Sequence, residues 1–84
     1  MTHTPRTVLI TGGSKGIGLA TARAFAALGD NVAVTYNSSP PPDDVFAVKC
    51  DVTSASDVDA AFTSVEEKFG PVGILVSNAG ITRD

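Results

Sequence analysis

Thr-Gly-Gly-Ser-Lys-Gly-Ile-Gly, at residues 11–18, is the stretch that decides the fold of this chain. It contains four glycines and lies between an apolar run at residues 8–10 and a segment in which apolar residues recur at helical spacing. This order is typical of a buried parallel strand that turns sharply into a helix. Because glycine has no Cβ and the first N–H groups of a helix have no partner within it, such a turn attracts an anionic phosphate.

Several glycine motifs compete for this stretch. Residues 13–18 have the spacing of a P-loop, but leucine and alanine follow where that motif needs Lys and then Ser or Thr, which disfavours a nucleoside triphosphatase. The Gly-x-Gly-x-x-Gly pattern fits imperfectly, because Thr21 stands where its third glycine belongs. The spacing that fits is Gly12, Gly16 and Gly18, which favours a dinucleotide as the ligand. The alternative is a glycine-rich helix entry that binds nothing.

Strands and helices alternate along the rest of the chain. The patterns predict strands at residues 8–10, 32–35, 45–49 and 72–76, one helix at 17–28, and a second that starts within 51–57 and ends at 69. This alternation predicts an α/β fold, a Rossmann-type doubly wound parallel sheet with about four strands. We expect a single domain over residues 1–84, with a flexible tail at residues 1–6. Three consecutive prolines predict a loop in place of a helix between strands two and three.

Composition excludes several classes of function. The 84 residues carry six Lys and Arg and nine Asp and Glu, a formal net charge of −3, and no basic run suited to nucleic acid. There is neither a signal-peptide pattern nor an apolar stretch of membrane-spanning length, which predicts a cytoplasmic protein with no membrane partner. His3 is the only histidine, so no metal centre is expected. Cys50, the only cysteine, is expected to be a small buried hydrophobic residue.

Two motifs in this order resemble those of the short-chain dehydrogenase/reductase family: residues 11–18, and Asn-Ala-Gly at residues 78–80 after strand four. The resemblance covers residues 6–84, and the ending at residues 78–84 is most similar to the 3-oxoacyl carrier-protein reductases. Acetoacetyl-CoA reductases share that ending. The resemblance implies NADPH-dependent reduction of a 3-oxoacyl thioester in fatty acid biosynthesis, with an acyl group on acyl carrier protein or CoA. It also implies that the full-length form is a homo-oligomer, a tetramer.

The predicted cofactor-binding residues lie in the glycine turn and directly after strands two, three and four: Gly12, Ser14, Lys15, Gly16, Ile17, Gly18, Tyr36, Asn37, Asp51, Val52, Asn78, Ala79 and Gly80. The residue that ends strand two faces the adenosine ribose, where a carboxylate would favour NAD. Tyr36 and Asn37 are not acidic and Lys15 offers a cation, so we expect NADP in preference to NAD. Similar reductases often carry an arginine where Asn37 stands. For Lys15 the alternative is an ordinary solvated surface lysine.

Two of these residues have an alternative structural role. By resemblance, Asp51 and the Val52 backbone would hold the adenine, but Asp51 also precedes the second helix and could cap it. The Asn78 amide could tie neighbouring strands together instead of contacting the cofactor.

No catalytic residue is assigned in this sequence. In the family that it resembles, a serine, a tyrosine that acts as general acid, and a lysine follow strand four. Tyr36 is the only tyrosine here, and Pro40 stands where the Tyr-x-x-x-Lys pair needs its lysine. We therefore expect the chain to bind cofactor without turnover. The alternative from another class is a non-catalytic NADP-binding module.

Overall fold

Strands and helices alternate strictly in the computed structural model, which describes residues 4–13 and 15–78. The elements are β1 (Thr7–Thr11), α1 (Gly16–Ala27), β2 (Asn31–Tyr36), β3 (Phe46–Lys49), α2 (Ala55–Phe69) and β4 (Ile74–Ser77). The order and type of all six elements match the sequence prediction, and their bounds differ from it by no more than two residues.

The four strands form one parallel sheet in the order β3-β2-β1-β4. Leu9 of β1 lies between Ala33 of β2 and Leu75 of β4. The chain thus runs outward from β1 to β3 and returns to the other side of β1. The carboxyl ends of β1 and β4 therefore form the point where the strand order reverses, which is where open α/β sheets bind their ligands.

The two helices cover opposite faces of the sheet. Val8 and Ile10 of β1 pack with Ala22 of α1, whereas Leu9, between them, packs with Val65 of α2. Both faces of β1 are buried, and its three central side chains, at residues 8–10, are apolar without alternation, as expected for a parallel sheet covered on both sides. This arrangement confirms the predicted doubly wound sheet.

Glycines and a serine set the ends of the helices. Gly29 has a φ of +94° and donates its N–H to the Ala26 carbonyl at 2.9 Å, which confirms the predicted left-handed residue after α1. Gly70 follows α2 with a φ of +101°. At the start of α2, the Ser54 hydroxyl accepts a hydrogen bond from the Asp57 N–H at 3.3 Å. Ser54 is therefore the capping residue of α2.

Arg6 is anchored to the sheet, although the sequence places it at the end of a flexible tail. Its guanidinium donates to both carboxylate oxygens of Asp30, at 2.7 and 3.1 Å, and its backbone N–H donates to Asp30 Oδ1 at 3.0 Å. The Asp30 side chain is fully buried and that of Arg6 is 45% exposed. This bidentate ion pair holds the start of β1 beside the start of β2. Residues 1–3 lie outside the described part of the chain.

The connection from β2 to β3 contains no helix, as the three prolines predict. It is tied to α1 by Arg23, which donates to Asp44 at 2.8 Å. Cys50, directly after β3, is 3% exposed, as predicted, and burial raises the pKa of its thiol. Within residues 4–13 and 15–78, no helix has the length and apolar character needed to cross a membrane.

Candidate cofactor-binding site

The glycine turn between β1 and α1 uses two residues in the left-handed region. Gly12 has a φ of +68° and Gly16 a φ of +62°, which L side chains rarely adopt. A Cβ built on Gly16 would meet no atom within 4 Å. Gly16 is thus required for its backbone conformation, and the space beside it is open for a ligand.

Gly18 and Gly13 are required for close packing. A Cβ on Gly18 would lie 2.5 Å from the Gly12 carbonyl oxygen and 2.7 Å from Asn78 Nδ2. A Cβ on Gly13 would lie 2.6 Å from Cγ1 of Val34. The absence of both side chains lets the start of α1 and the turn approach the ends of β1 and β2. The favoured spacing of Gly12, Gly16 and Gly18 does not include Gly13. The need for glycine at residue 13 comes from its close contact with Val34 on β2, which the spacing of the turn does not indicate.

Thr35 shapes the turn, although it is not among the residues predicted from the sequence. Its hydroxyl oxygen accepts the Gly12 N–H at 3.1 Å, and its carbonyl accepts the Gly13 N–H at 3.0 Å. Thr35 is only 2% exposed. A threonine hydroxyl in a fully buried strand needs a hydrogen-bond partner. A threonine within the apolar run of strand two was therefore the sequence feature that could have indicated this role. The first two amides of the turn are therefore bonded to β2 and do not face a ligand.

The amides that can receive a phosphate lie at the start of α1. Leu19 N–H donates to the Lys15 carbonyl at 3.3 Å, so the amides of residues 16–18 precede the helical hydrogen-bond ladder. Their N–H groups carry the partial positive charge at the amino end of the helix dipole. Lys15 is the N-cap residue, with extended backbone and an exposed side chain. Ile17 is 69% exposed beside it.

Asn78 joins β4 to the glycine turn. Its Nδ2 donates to the Gly12 carbonyl at 3.0 Å, and its backbone N–H donates to Thr11 Oγ1 at 3.0 Å. Asn78 is 5% exposed. These contacts match the structural alternative for Asn78, in which its amide ties neighbouring strands together. Contact of Asn78 with a cofactor stays a prediction. Ser14, Ala79 and Gly80 lie outside the described residues.

Asp51 and Val52 follow β3 and are exposed at the same edge of the sheet. Asp51 Oδ1 accepts hydrogen bonds from the Thr53 hydroxyl at 2.6 Å and the Thr53 amide at 2.9 Å, and these bonds lower the pKa of the Asp51 carboxyl. Because Ser54 caps α2, the alternative of Asp51 as the helix cap is wrong. Its predicted contact with adenine stays a prediction.

Tyr36 ends β2 and the exposed Asn37 follows it. Tyr36 pairs in register with Lys49, the last residue of β3, and accepts the Cys50 N–H on its carbonyl at 2.9 Å. Lys49 is exposed and was not among the predicted site residues. Lys49 comes beside Tyr36 through the register of the sheet. The sequence contains no information on that register, so it could not indicate Lys49.

All of these groups lie at one edge of the sheet, because the carboxyl ends of parallel strands meet there. The amides at the start of α1 and the open space beside Gly16 suit a pyrophosphate, and the ends of β2 and β3 form a neighbouring surface for a nucleoside. The residues present therefore fit a dinucleotide laid across the carboxyl ends of the strands.

Residues 6–84 match the family model described as short chain dehydrogenase. The chain belongs to the short-chain dehydrogenase family. The family implies binding of a nicotinamide dinucleotide, and the open glycine turn agrees with that ligand class.

This short-chain dehydrogenase chain is 58% identical over 79 residues to the 3-oxoacyl-[acyl-carrier-protein] reductase MabA of Mycobacterium avium, with 94% of this chain and 31% of that protein covered. It is 57% identical over 79 residues to MabA of Mycobacterium tuberculosis, with 94% and 32% covered. The chain thus spans about a third of the length of these relatives. The ligand-free aldohexose dehydrogenase of Thermoplasma acidophilum superimposes with a TM-score of 0.80 at 31% identity, over 88% of this chain and 29% of that one.

Proposed function

We propose that this chain is the cofactor-binding portion of an NADPH-dependent reductase of 3-oxoacyl thioesters in fatty acid biosynthesis. The observation that carries the proposal is the 58% identity, over nearly the whole chain, to a relative named 3-oxoacyl-[acyl-carrier-protein] reductase. The substrate is then a 3-oxoacyl group on acyl carrier protein, and the full-length form is a homo-oligomer.

The choice of NADP over NAD rests on the end of β2. The residue at this position contacts the adenosine ribose in dinucleotide-binding sheets, and an acid there selects the free hydroxyls of NAD. Tyr36 and Asn37 supply no negative charge that would repel a 2′-phosphate. Lys15, exposed at the start of α1, adds a cation beside the phosphate-binding amides.

Each part of the cofactor has a proposed set of partners in this chain. The amides of residues 16–18 hold the pyrophosphate, Tyr36 and Asn37 face the adenosine ribose, and Asp51 with Val52 contacts the adenine. The nicotinamide half lies toward residues 78–80. When bound, NADPH supplies the hydride that reduces a carbonyl. The proposal assigns cofactor binding to this chain and no catalytic residue.

The experiment that tests the proposal is titration of the purified chain with NADPH and with NADH, followed by cofactor fluorescence. We expect tighter binding of NADPH. Tyr36→Asp should reverse this preference, by about tenfold or more in relative affinity, because a carboxylate repels the 2′-phosphate and bonds the free ribose hydroxyls. Tyr36→Phe is the matched control, since it adds no charge and should keep the preference. Tighter binding of NADH by the unsubstituted chain would contradict the assignment of NADP.

A further inference from the structure

We propose that Lys49 binds the 2′-phosphate of NADPH and so is a residue that determines cofactor preference. This inference rests on the proposed function, because it concerns the ribose end of the same site. It assigns a charged partner to a part of the cofactor for which the end of β2 offers only the neutral side chains of Tyr36 and Asn37.

The sheet register places Lys49 beside Tyr36. The two residues are Cα partners at the carboxyl ends of β2 and β3. Neighbouring strands lie about 4.8 Å apart, and residues paired in register point to the same face of the sheet. The residue that ends β2 is the one that faces the ribose in dinucleotide-binding sheets. The ammonium group of Lys49 is therefore carried by the strand adjacent to the ribose position.

The face on which Lys49 lies is the face of α1. Val34 and Ala47, each two residues earlier on β2 and β3, both pack in the core cluster that contains Ala22 of α1. Since side chains alternate along a strand, Tyr36 and Lys49 also lie on this side of the sheet. Lys15 is the N-cap residue of the same helix. Lys15, at the start of α1, and Lys49, at the end of β3, thus lie on the α1 side of the sheet, on two elements next to the ribose position.

The charge of Lys49 is available for a ligand. Lys49 is exposed, and within residues 4–13 and 15–78 no carboxylate lies close enough to form an ion pair with it. The nearest acid along the chain, Asp51, is held by the hydroxyl and amide of Thr53. Lys68, by contrast, lies over the rings of Phe46 and Phe69, at 5.2 and 5.5 Å from their centroids.

The test is a comparison of NADPH and NADH affinities for the unsubstituted chain, Lys49→Gln and Lys49→Arg. Because NADH lacks the 2′-phosphate, we expect Lys49→Gln to weaken NADPH binding about threefold to tenfold and to leave NADH binding within about twofold. Lys49→Arg keeps the charge and should bind NADPH as the unsubstituted chain does. The loss in Lys49→Gln should also shrink at high salt, since the contact is exposed.

Lys68→Gln is the matched control, because it removes the same charge at the opposite end of the sheet. It should leave the ratio of NADPH to NADH affinity unchanged. An NADPH preference that survives Lys49→Gln, or an equal loss for both nucleotides, would overturn this inference and leave the proposed function intact. Failure of the unsubstituted chain to prefer NADPH would overturn the proposed function and this inference with it.

Discussion

The side-chain amide of Asn78 donates a 3.0 Å hydrogen bond to the carbonyl of Gly12, a residue 66 positions earlier in the chain. On the other side of the same turn, the Thr35 hydroxyl accepts the Gly12 N–H at 3.1 Å. The backbone of Gly12 is thus held by β4 and by β2 at once, in a conformation with a φ of +68°. The shape of the glycine turn thus depends on three adjacent strands, β2, β1 and β4.

Thr35→Val should weaken binding of NADPH and NADH by the same factor. The substitution keeps the shape of the buried side chain but removes the acceptor of the Gly12 N–H, and a buried unpaired amide costs about 1–3 kcal/mol. Amide hydrogen exchange at Gly12 should accelerate, and fluorescence titration should report the two affinities. Thr35→Ser retains the acceptor and should restore both measurements toward those of the unsubstituted chain.

Thr7→Val serves as the control for Thr35→Val. Thr7 is also buried in the sheet, and its hydroxyl donates to the Phe69 carbonyl at 3.3 Å, away from the glycine turn. We expect a lower free energy of unfolding with cofactor affinities unchanged. Loss of affinity in Thr7→Val equal to that in Thr35→Val would show that general destabilisation, and not the turn, explains the effect.

Gly18→Ala should destabilise the chain more than Gly16→Ala. A methyl group at residue 18 would collide with the Gly12 carbonyl and Asn78 Nδ2, so backbone has to move. At residue 16 the space is open, and only the left-handed backbone opposes alanine, by about 1–2 kcal/mol. Urea unfolding measures both free energies. An equal loss in the two variants would contradict the close approach of α1 to the turn.

Arg6→Gln should lower the melting temperature clearly more than Arg23→Gln. The first substitution leaves the fully buried Asp30 carboxylate without its bidentate partner, whereas the second breaks a pair whose side chains are 48% and 63% exposed. Differential scanning calorimetry in low salt and in high salt provides the measurement. The hydrogen bonds that Arg6 donates to Asp30 also raise the pKa of Arg6, so the guanidinium stays charged over the working pH range. Equal shifts in melting temperature would contradict the role of burial.

Thr53→Val should reduce the loss of stability on acidification. Hydrogen bonds from the Thr53 hydroxyl and amide hold the pKa of Asp51 below its ordinary value of 3.8. A carboxyl with a lowered pKa in the folded state stabilises the fold above its unfolded-state pKa, and this contribution is lost as the pH falls through the folded-state pKa. Urea unfolding at pH 7 and in steps below pH 4 should therefore show a smaller decrease in the free energy of unfolding for Thr53→Val than for the unsubstituted chain. The hydrogen bond from Arg23 also lowers the pKa of Asp44, and protonation of the Asp44 carboxyl contributes to the remaining loss of stability in both proteins.

The sequence by itself determined the order and type of the six elements within residues 4–13 and 15–78, and the place of the glycine turn. Those features follow from local information: buried strands are continuous apolar runs, helices repeat every three to four residues, and glycines mark the turn. Gly29 after α1 and the helix-free connection with its prolines are predicted for the same reason, since each depends on the backbone of a few adjacent residues.

Only the tertiary structure decided which residues shape the turn and which charges surround it. Thr35 and Asn78 reach Gly12 across 23 and 66 positions, Gly13 is fixed by Val34, and Lys49 comes beside Tyr36 through the register of the sheet. The role of Asp51 likewise depended on whether its carboxylate or the Ser54 hydroxyl reaches the start of α2. Strand order, register and side-chain hydrogen bonds join residues distant in the chain, and local periodicity carries no information on such pairings.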